Sequence, residues 1–262
     1  MLPEDIGPQR LVTLLQGRRL GVRHEVWESI DSTNERARVL AEVGVGEGFL
    51  VLADAQSAGR GSQGRAWESP PGSDLYLSLV LRPHYGAAEL PLLTMAAATA
   101  LVEVADHRLR GETRAQVKWP NDLYIGARKC AGILVESRSS GSRCDFAILG
   151  IGLNVNRRHW PAELRENATS LLEATGRSQS FDRGIVLAEL LEALERSLAQ
   201  IESGQSSLLL SRLEPRLLWR GEEVECSGLR GQLLGFDPSG ALRLATVEGT
   251  RTCVSGSPRR VG

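Results

Sequence analysis

A strand leads into a glycine loop here, and no helix can follow. Residues 48–54 read GFLVLAD, an apolar run of strand length. Residues 59–65 then read GRGSQGR. Gly59, Gly61 and Gly64 match G-x-G-x-x-G, the turn that carries a dinucleotide pyrophosphate at the start of a helix. The chain continues RAWESPPGSD, and Pro70-Pro71-Gly72 cannot extend a helix. No acidic residue is placed to hold a ribose at the end of a second strand, and no Walker lysine follows the glycines. The segment therefore excludes a doubly wound dinucleotide fold and argues against a nicotinamide oxidoreductase. What remains is a loop with Arg60 and Arg65 beside three glycines, suited to gripping an anion through backbone N–H groups and guanidiniums.

Any such anion site is local. The 262 residues carry 31 basic and 32 acidic side chains, a net charge of −1, so no bulk field favours nucleic acid or a membrane surface. No run approaches a membrane span, and the N-terminus lacks a signal-peptide core. Cys130, Cys144, Cys226 and Cys253 are widely spaced, and the four histidines show no metal spacing. Reduced thiols in a cytoplasmic protein are expected.

Along the chain, residues 1–22 form a short leader without a helix-turn-helix pattern. A catalytic domain is expected over 23–217. HEVWESI reads as a strand, and Ser32 to Glu35 reads as a capping box opening a helix that stops at Gly44. DLYLSLVLR (74–82) alternates and predicts a half-buried strand. Residues 90–109 predict a long apolar helix. Strands are expected at QVKW, DLYI, AGILVES and DFAILGIGLNV, with a turn at Asn121-Asp122. Residues 157–180 read as polar and irregular. An amphipathic helix over 181–204, capped by Asp182, precedes a second helix reaching Leu217. From 218 to 262, short β runs between Gly and Pro turns predict a small β-barrel.

Three further segments surround the glycine loop in chemistry. Asp31-Ser32-Thr33-Asn34 sets hydroxyls and an amide at a helix start. VKWPND (117–122) places short polar groups at a strand end. In RKCAGIL (128–134), Lys129 precedes an apolar strand that can carry it into a pocket. Each has an ordinary structural reading: a cap, a core ring, a surface charge. Together they suit a carboxylate held near a nucleotide phosphate.

With these segments in order, DSTN, AQSAGRGSQGRAW, SDLYLSLVLRP, VKWPNDL, RKCAGILVE and GIGLNVN, the sequence resembles the biotin–protein ligases from about residue 24 to the end. The resemblance implies an α+β catalytic domain, with a mixed or antiparallel sheet flanked by helices as in class II synthetases, and a C-terminal SH3-like barrel. It implies a ligase that converts biotin and ATP to biotinyl-5′-AMP and passes the acyl group to a lysine of a biotin carboxyl carrier protein, from an acyl-CoA or pyruvate carboxylase.

Position by position, it implies biotin contacts at Ser32, Thr33, Asn34, Gln56, Gly59, Arg60, Gly61, Ser62, Lys129 and Gly132. Nucleotide contacts are implied at Arg60, Arg65, Trp67 beside the adenine, Lys118, Asn121, Asp122 and Asn154. Lys129 and Arg60 are the implied catalytic cations, and Asp122 the implied Mg2+ ligand. Ser62 stands where many members carry arginine. The leader is too short for the winged helix of family members that also repress transcription, so a monofunctional enzyme that binds no DNA is expected. The oligomer, monomer or homodimer, stays open. The alternatives are a lipoate or octanoate ligase on the same fold, which the segments around Lys129 disfavour, and a non-catalytic biotin-binding regulator, which Lys129 disfavours.

Overall fold

The computed structural model describes residues 1–84, 86, 89–109, 113–141 and 143–261. Seven strands form the main sheet: β1 (His24–Trp27), β2 (Leu50–Ala53), β3 (Leu75–Leu81), β4 (Ala115–Lys118), β5 (Asp122–Ile125), β6 (Arg128–Ser140) and β7 (Arg143–Leu153). Their spatial order is β1-β2-β3-β7-β6-β5-β4. Only β1 and β2 run parallel, so the sheet is mixed.

Period-two alternation divides this sheet into two faces. Leu75, Leu77, Leu79 and Leu81 of β3 and Ala147, Leu149, Ile151 and Leu153 of β7 point into the main core. There they meet α3 (Pro91–Leu109), α5 (Arg183–Glu202) and α6 (Ser206–Leu213). The sequence suits each helix. α3 is an alanine- and leucine-rich run buried on most sides, and α5 begins where Asp182 accepts a hydrogen bond from the Ile185 amide at 2.9 Å. On the opposite face, α2 (Thr33–Glu42) covers Val51, Val80, Phe146 and Ile148 with Ala37, Leu40 and Ala41. This helix covers only part of the face, and the uncovered part becomes the floor of a cleft.

Several local expectations change. β3 is buried along its whole length, because its polar-face residues Tyr76 and Ser78 lie under the loop and α2 rather than in water. The Ser32 side chain makes no capping bond; the Thr33 amide donates instead to Gln56 Oε1 at 2.9 Å. Helix α6 ends at Leu213, and a 3-10 turn, Glu214–Arg216, completes the path to Leu217. Residues 157–180 contain a short helix, α4 (Leu171–Thr175), with Ser170 as its cap.

The ends of the chain are built into the same core. Residues Pro8–Leu14 form helix α1, with Pro8 at its first turn, and Ile6, Leu11, Leu15 and Leu20 are fully buried. Asp5 pairs with the buried Arg183 of α5 at 2.9 Å. At the other end, β8 (Glu223–Cys226), β9 (Leu229–Phe236), β10 (Leu242–Thr246), β11 (Gly249–Cys253) and β12 (Arg259–Arg260) form an antiparallel sheet. Its order, β11-β10-β9-β8-β12, is compatible with the small barrel expected. The Leu218 amide donates to Val117 O at 2.9 Å, and Trp119 Nε1 donates to Gly240 O at 3.0 Å. These bonds dock the small sheet on the β4 edge.

Candidate active site

Strand register lays out the cleft floor. Tyr76, Gly152, Gly132, Asp122 and Lys118 follow one another across β3, β7, β6, β5 and β4. The next row is Ser78, Gly150 and Leu134. Simple alternation would send Lys129 to the face opposite Gly132. A register shift between Leu123 and Tyr124 on β5, opposite Lys129–Ala131, reverses this. The extra residue, Cys130, turns into the core, and Lys129 shares the cleft face with Gly132.

Two glycines are required here by close approach. A Cβ on Gly150 would lie 2.0 Å from Asn34 Oδ1, and one on Gly152 would lie 2.5 Å from the Trp67 ring. The first gap admits the Asn34 amide; the second seats the indole on the sheet.

One end of the cleft is neutral and densely hydrogen-bonded. Thr33 Oγ1 and its amide both donate to Gln56 Oε1, and Gln56 Nε2 donates to Ser69 Oγ at 2.9 Å. Ser78 Oγ donates to Asn34 Oδ1 at 2.6 Å. Asn34 Nδ2 donates to Glu136 at 2.7 Å. Ser32, Thr33, Asn34 and Ser78 are all buried, so these groups are fixed in orientation before any ligand arrives.

The glycine loop forms a folded hairpin above this floor. The Trp67 amide donates to Gly59 O, and the Gly61 amide to Arg65 O at 2.7 Å. Gln63 and Gly64 both have positive φ and make the tip, where Arg65 Nη2 donates to Ser62 Oγ. Gly59 belongs to the root: a Cβ there would meet Trp67 O at 2.4 Å.

The other half is cationic. Lys129 Nζ lies 2.6 Å from Asp122 Oδ1 and 5.1 Å from the centre of the Trp67 ring. Lys118 stands between Tyr124 and Trp219. Burial pushes its ammonium pKa down, and the positive charges of Lys129, Arg65 and Arg259 add to this against the pull of Asp122. Asn121 Nδ2 donates to Ile133 O and Asn154 Nδ2 to Thr169 O, so both amides are fixed by backbone. Beyond Lys129, Trp160, Leu164, Asn167 and Ala168 close the wall; the Lys129 amide donates to Asn167 O at 2.8 Å.

The cavity within the cleft measures about 280 Å³. Ser32, Thr33, Asn34, Gln56, Arg60, Gly61, Ser62, Arg65, Trp67, Asn121, Asp122, Lys129, Gly132 and Asn154 all line it. Gly59 and Lys118 do not line it. Trp67 spans the waist over Gly132 and Gly152, and its buried Nε1 has no hydrogen-bond partner among the described residues. Sequence reasoning missed Ser78, Gly150, Gly152, Glu136 and the Arg157–Ala168 segment. The alternating glycines of GIGLN and the aromatic Trp160 were the available signals.

No three His, Cys, Asp or Glu side chains converge on a metal position among the described residues. Asp122 is a single carboxylate beside a lysine. A lone carboxylate suits a hard cation that arrives with phosphate oxygens, not a resident metal.

A neutral pocket with fixed donors and acceptors, an apolar waist and a cationic far end define a class: an enzyme site for an extended organic acid held beside a second, phosphate-rich anion. Comparison with known proteins narrows it. Residues 26–154 match the model of the biotin/lipoate A/B protein ligase family. The chain is 35% identical over 251 residues to the bifunctional ligase/repressor BirA of Bacillus subtilis, covering 94% of this chain and 75% of that one. It is 33% identical to the biotin–[acetyl-CoA-carboxylase] ligase of Paracoccus denitrificans, covering 82% and 90%. The solved Aquifex aeolicus biotin protein ligase, in complex with biotin and ATP, superposes with a TM-score of 0.77 at 34% identity, covering 91% of this chain and 99% of that one. This chain belongs to the biotin/lipoate protein ligase family. No helix among its described residues is long and apolar enough to cross a membrane.

Proposed function

We propose that this chain is a biotin–protein ligase whose cleft activates biotin with ATP and delivers it to a carrier lysine. The observation that carries the reading is the polarity order of one continuous cavity. Biotin has a neutral bicyclic head, an apolar tail and a terminal carboxylate. The head fits the fixed amide and hydroxyl groups of Thr33, Asn34 and Gln56. The tail runs beside the Trp67 ring, which is itself seated on Gly132 and Gly152. The carboxylate then reaches Lys129.

ATP occupies the end beyond Lys129, with Trp160 rather than Trp67 as the aromatic beside the base. Asn121 and Asn154 border its phosphates, and Asp122 would hold the magnesium that accompanies them, a cation that would neutralise the leaving pyrophosphate. Carboxylate and triphosphate repel each other, and holding both is the main task of the site. Lys129 lies between the two anions and stabilises the charge that develops as a carboxylate oxygen attacks the α-phosphorus and pyrophosphate leaves. In the second step a lysine amine of a biotin carboxyl carrier protein attacks the anhydride carbonyl, releasing AMP. The loop with Arg60 and Arg65 keeps water from the anhydride in between.

Substrate-dependent ATP–pyrophosphate exchange tests this, with biotin, lipoate and octanoate supplied separately. Exchange with biotin alone is expected. Exchange with lipoate or octanoate and none with biotin would keep the fold and overturn the substrate.

A further inference from the structure

Glu136 lies outside the cleft wall, on β6, next to Ile148 in register. A single oxygen of its carboxylate, Oε2, accepts from two groups that belong to different elements, helix α2 and the glycine loop. Asn34 Nδ2, at the start of α2, donates to it at 2.7 Å. Arg60 Nη2, near the root of the glycine loop, donates to it at 3.0 Å. Glu35 adds a second carboxylate 3.6 Å from the same guanidinium. Among the described residues, Arg60 has no other ion-pair partner.

The two ends of the loop are held differently. At Glu68, Arg157 donates to the carboxylate at 2.8 Å while its Nε donates to Asp74 at 2.7 Å, and Arg157 and Asp74 are buried. That anchor has one buried partner, Arg157, held in turn by Asp74, although Glu68 itself is half-exposed. At Arg60 the pair is open to solvent, with about 42% of the arginine side chain and 37% of the glutamate exposed. Such a pair is weak enough to exchange and strong enough to bias a position.

We propose that Glu136 is a positioning residue of the adenylation site, a carboxylate that ties loop residue Arg60 to the head-pocket amide Asn34. Loop position and amide orientation are thereby coupled: the carboxylate that orients Asn34 also holds the guanidinium over the mouth of the cleft. An incoming substrate anion competes with Glu136 and Glu35 for Arg60. The proposal rests on the reading of this cleft as the site of adenylation, but its first test requires no substrate.

Two variants separate the two bonds. Glu136→Gln keeps an acceptor for Asn34 and removes the charge that holds Arg60. Glu136→Leu removes both. In the ligand-free protein, hydrogen exchange at the Gly61 and Trp67 amides and tryptic cleavage after Arg65 report on the loop. Glu136→Gln is expected to speed both by roughly two- to fivefold at low salt. The difference should shrink in molar salt, where the Debye length falls to about 3 Å. In exchange assays Glu136→Gln should lower kcat with the biotin KM little changed, while Glu136→Leu raises KM as well. Unchanged loop protection in both variants, or identical kinetics for Gln and Leu, overturns the proposal even if biotin supports exchange. A loosened loop in a protein that activates no acid would leave the Arg60 tether standing and remove the reading of the cleft.

Discussion

Replacing Lys129 by glutamine removes the charge on which the proposed adenylation step depends, without adding bulk. Lys129 is about one-quarter exposed and Asp122 about one-eighth, so the pair lies between water and a dry interior. At an effective dielectric constant of about 20, two unit charges 4 Å apart interact by about 4 kcal/mol. If the α-phosphate and the attacking carboxylate approach Nζ to that distance, losing the cation raises the barrier by about that amount. A barrier 4 kcal/mol higher is a loss of roughly 1000-fold in rate.

The expected result is biotin-dependent pyrophosphate exchange reduced by about three orders of magnitude in kcat/KM, with kcat carrying most of the loss, since the charge is needed most in the transition state. Lys129→Arg should recover only part of the rate, because a planar guanidinium cannot occupy the same point between two anions. Transfer from chemically supplied biotinyl-5′-AMP should fall less, since one of the two anions is already an anhydride. Folding is checked by the thermal midpoint. A folded Lys129→Gln protein within tenfold of wild type would refute the argument, since the charge between the two anions would then not come from Lys129.

Other parts of the molecule give independent tests. Gly150→Ala puts a methyl where Asn34 Oδ1 lies, 2.0 Å from the built Cβ, so the biotin KM should rise by roughly an order of magnitude while the ATP KM stays near wild type; an unchanged biotin KM would detach Asn34 from the acid site. Arg183→Met strands the buried Asp54 carboxylate, 2.7 Å from the guanidinium it loses, at a cost of about 3–5 kcal/mol. Calorimetry should then show a midpoint lower by about 6–20 °C for a chain of this size, and a shift under 3 °C would contradict this account of the pair. Burial raises the Asp5 carboxyl pKa, but hydrogen bonds and charge from Arg183 outweigh it and hold the group below 3.8. Its contribution is therefore present above that value and lost as pH falls through the lower folded one, so the wild-type midpoint should drop more steeply than that of Asp5→Asn between about pH 5 and 3. Thiol titration of native protein should be slow at all four cysteines: each is buried, burial pushes the Cys130 and Cys144 thiols up, and Cys226 is pushed up to about 12. Fast alkylation of Cys130 with loss of exchange activity would show that the cleft face reaches this residue.

How much of this was legible in the sequence depended on whether a residue's role was local. The glycine loop could be separated from a dinucleotide turn because Pro70-Pro71-Gly72 acts within ten residues of it. The strand and helix order was readable for the same reason, since period and punctuation are short-range. β3 misled because alternation reports polarity, not exposure. Ser78 is polar in order to bond Asn34 beneath α2, and Tyr76 in order to receive Arg157. The Ser32–Glu35 box failed at its own spacing because Gln56, distant in sequence, supplies the acceptor at the helix start and Glu35 turns to Arg38.

Residues whose roles are set by register were the hardest to see. Lys129 faces the cleft only because one extra residue in β6 reverses the alternation, and no propensity of Arg128-Lys129-Cys130-Ala131 announces a bulge. Gly150 and Gly152 read as weak points of a buried strand until the rows of the sheet place them under Asn34 and Trp67. Glu136 lies 76 residues from Arg60 and 102 from Asn34, yet one oxygen joins them. The cleft is thus a property of sheet register: the loop, α2 and Lys129 come from separate parts of the chain, and the spacing of β3, β7, β6 and β5 brings them to one surface. A change that straightened the bulge without deleting a residue would turn Lys129 away from the cleft while leaving every named motif residue in the sequence.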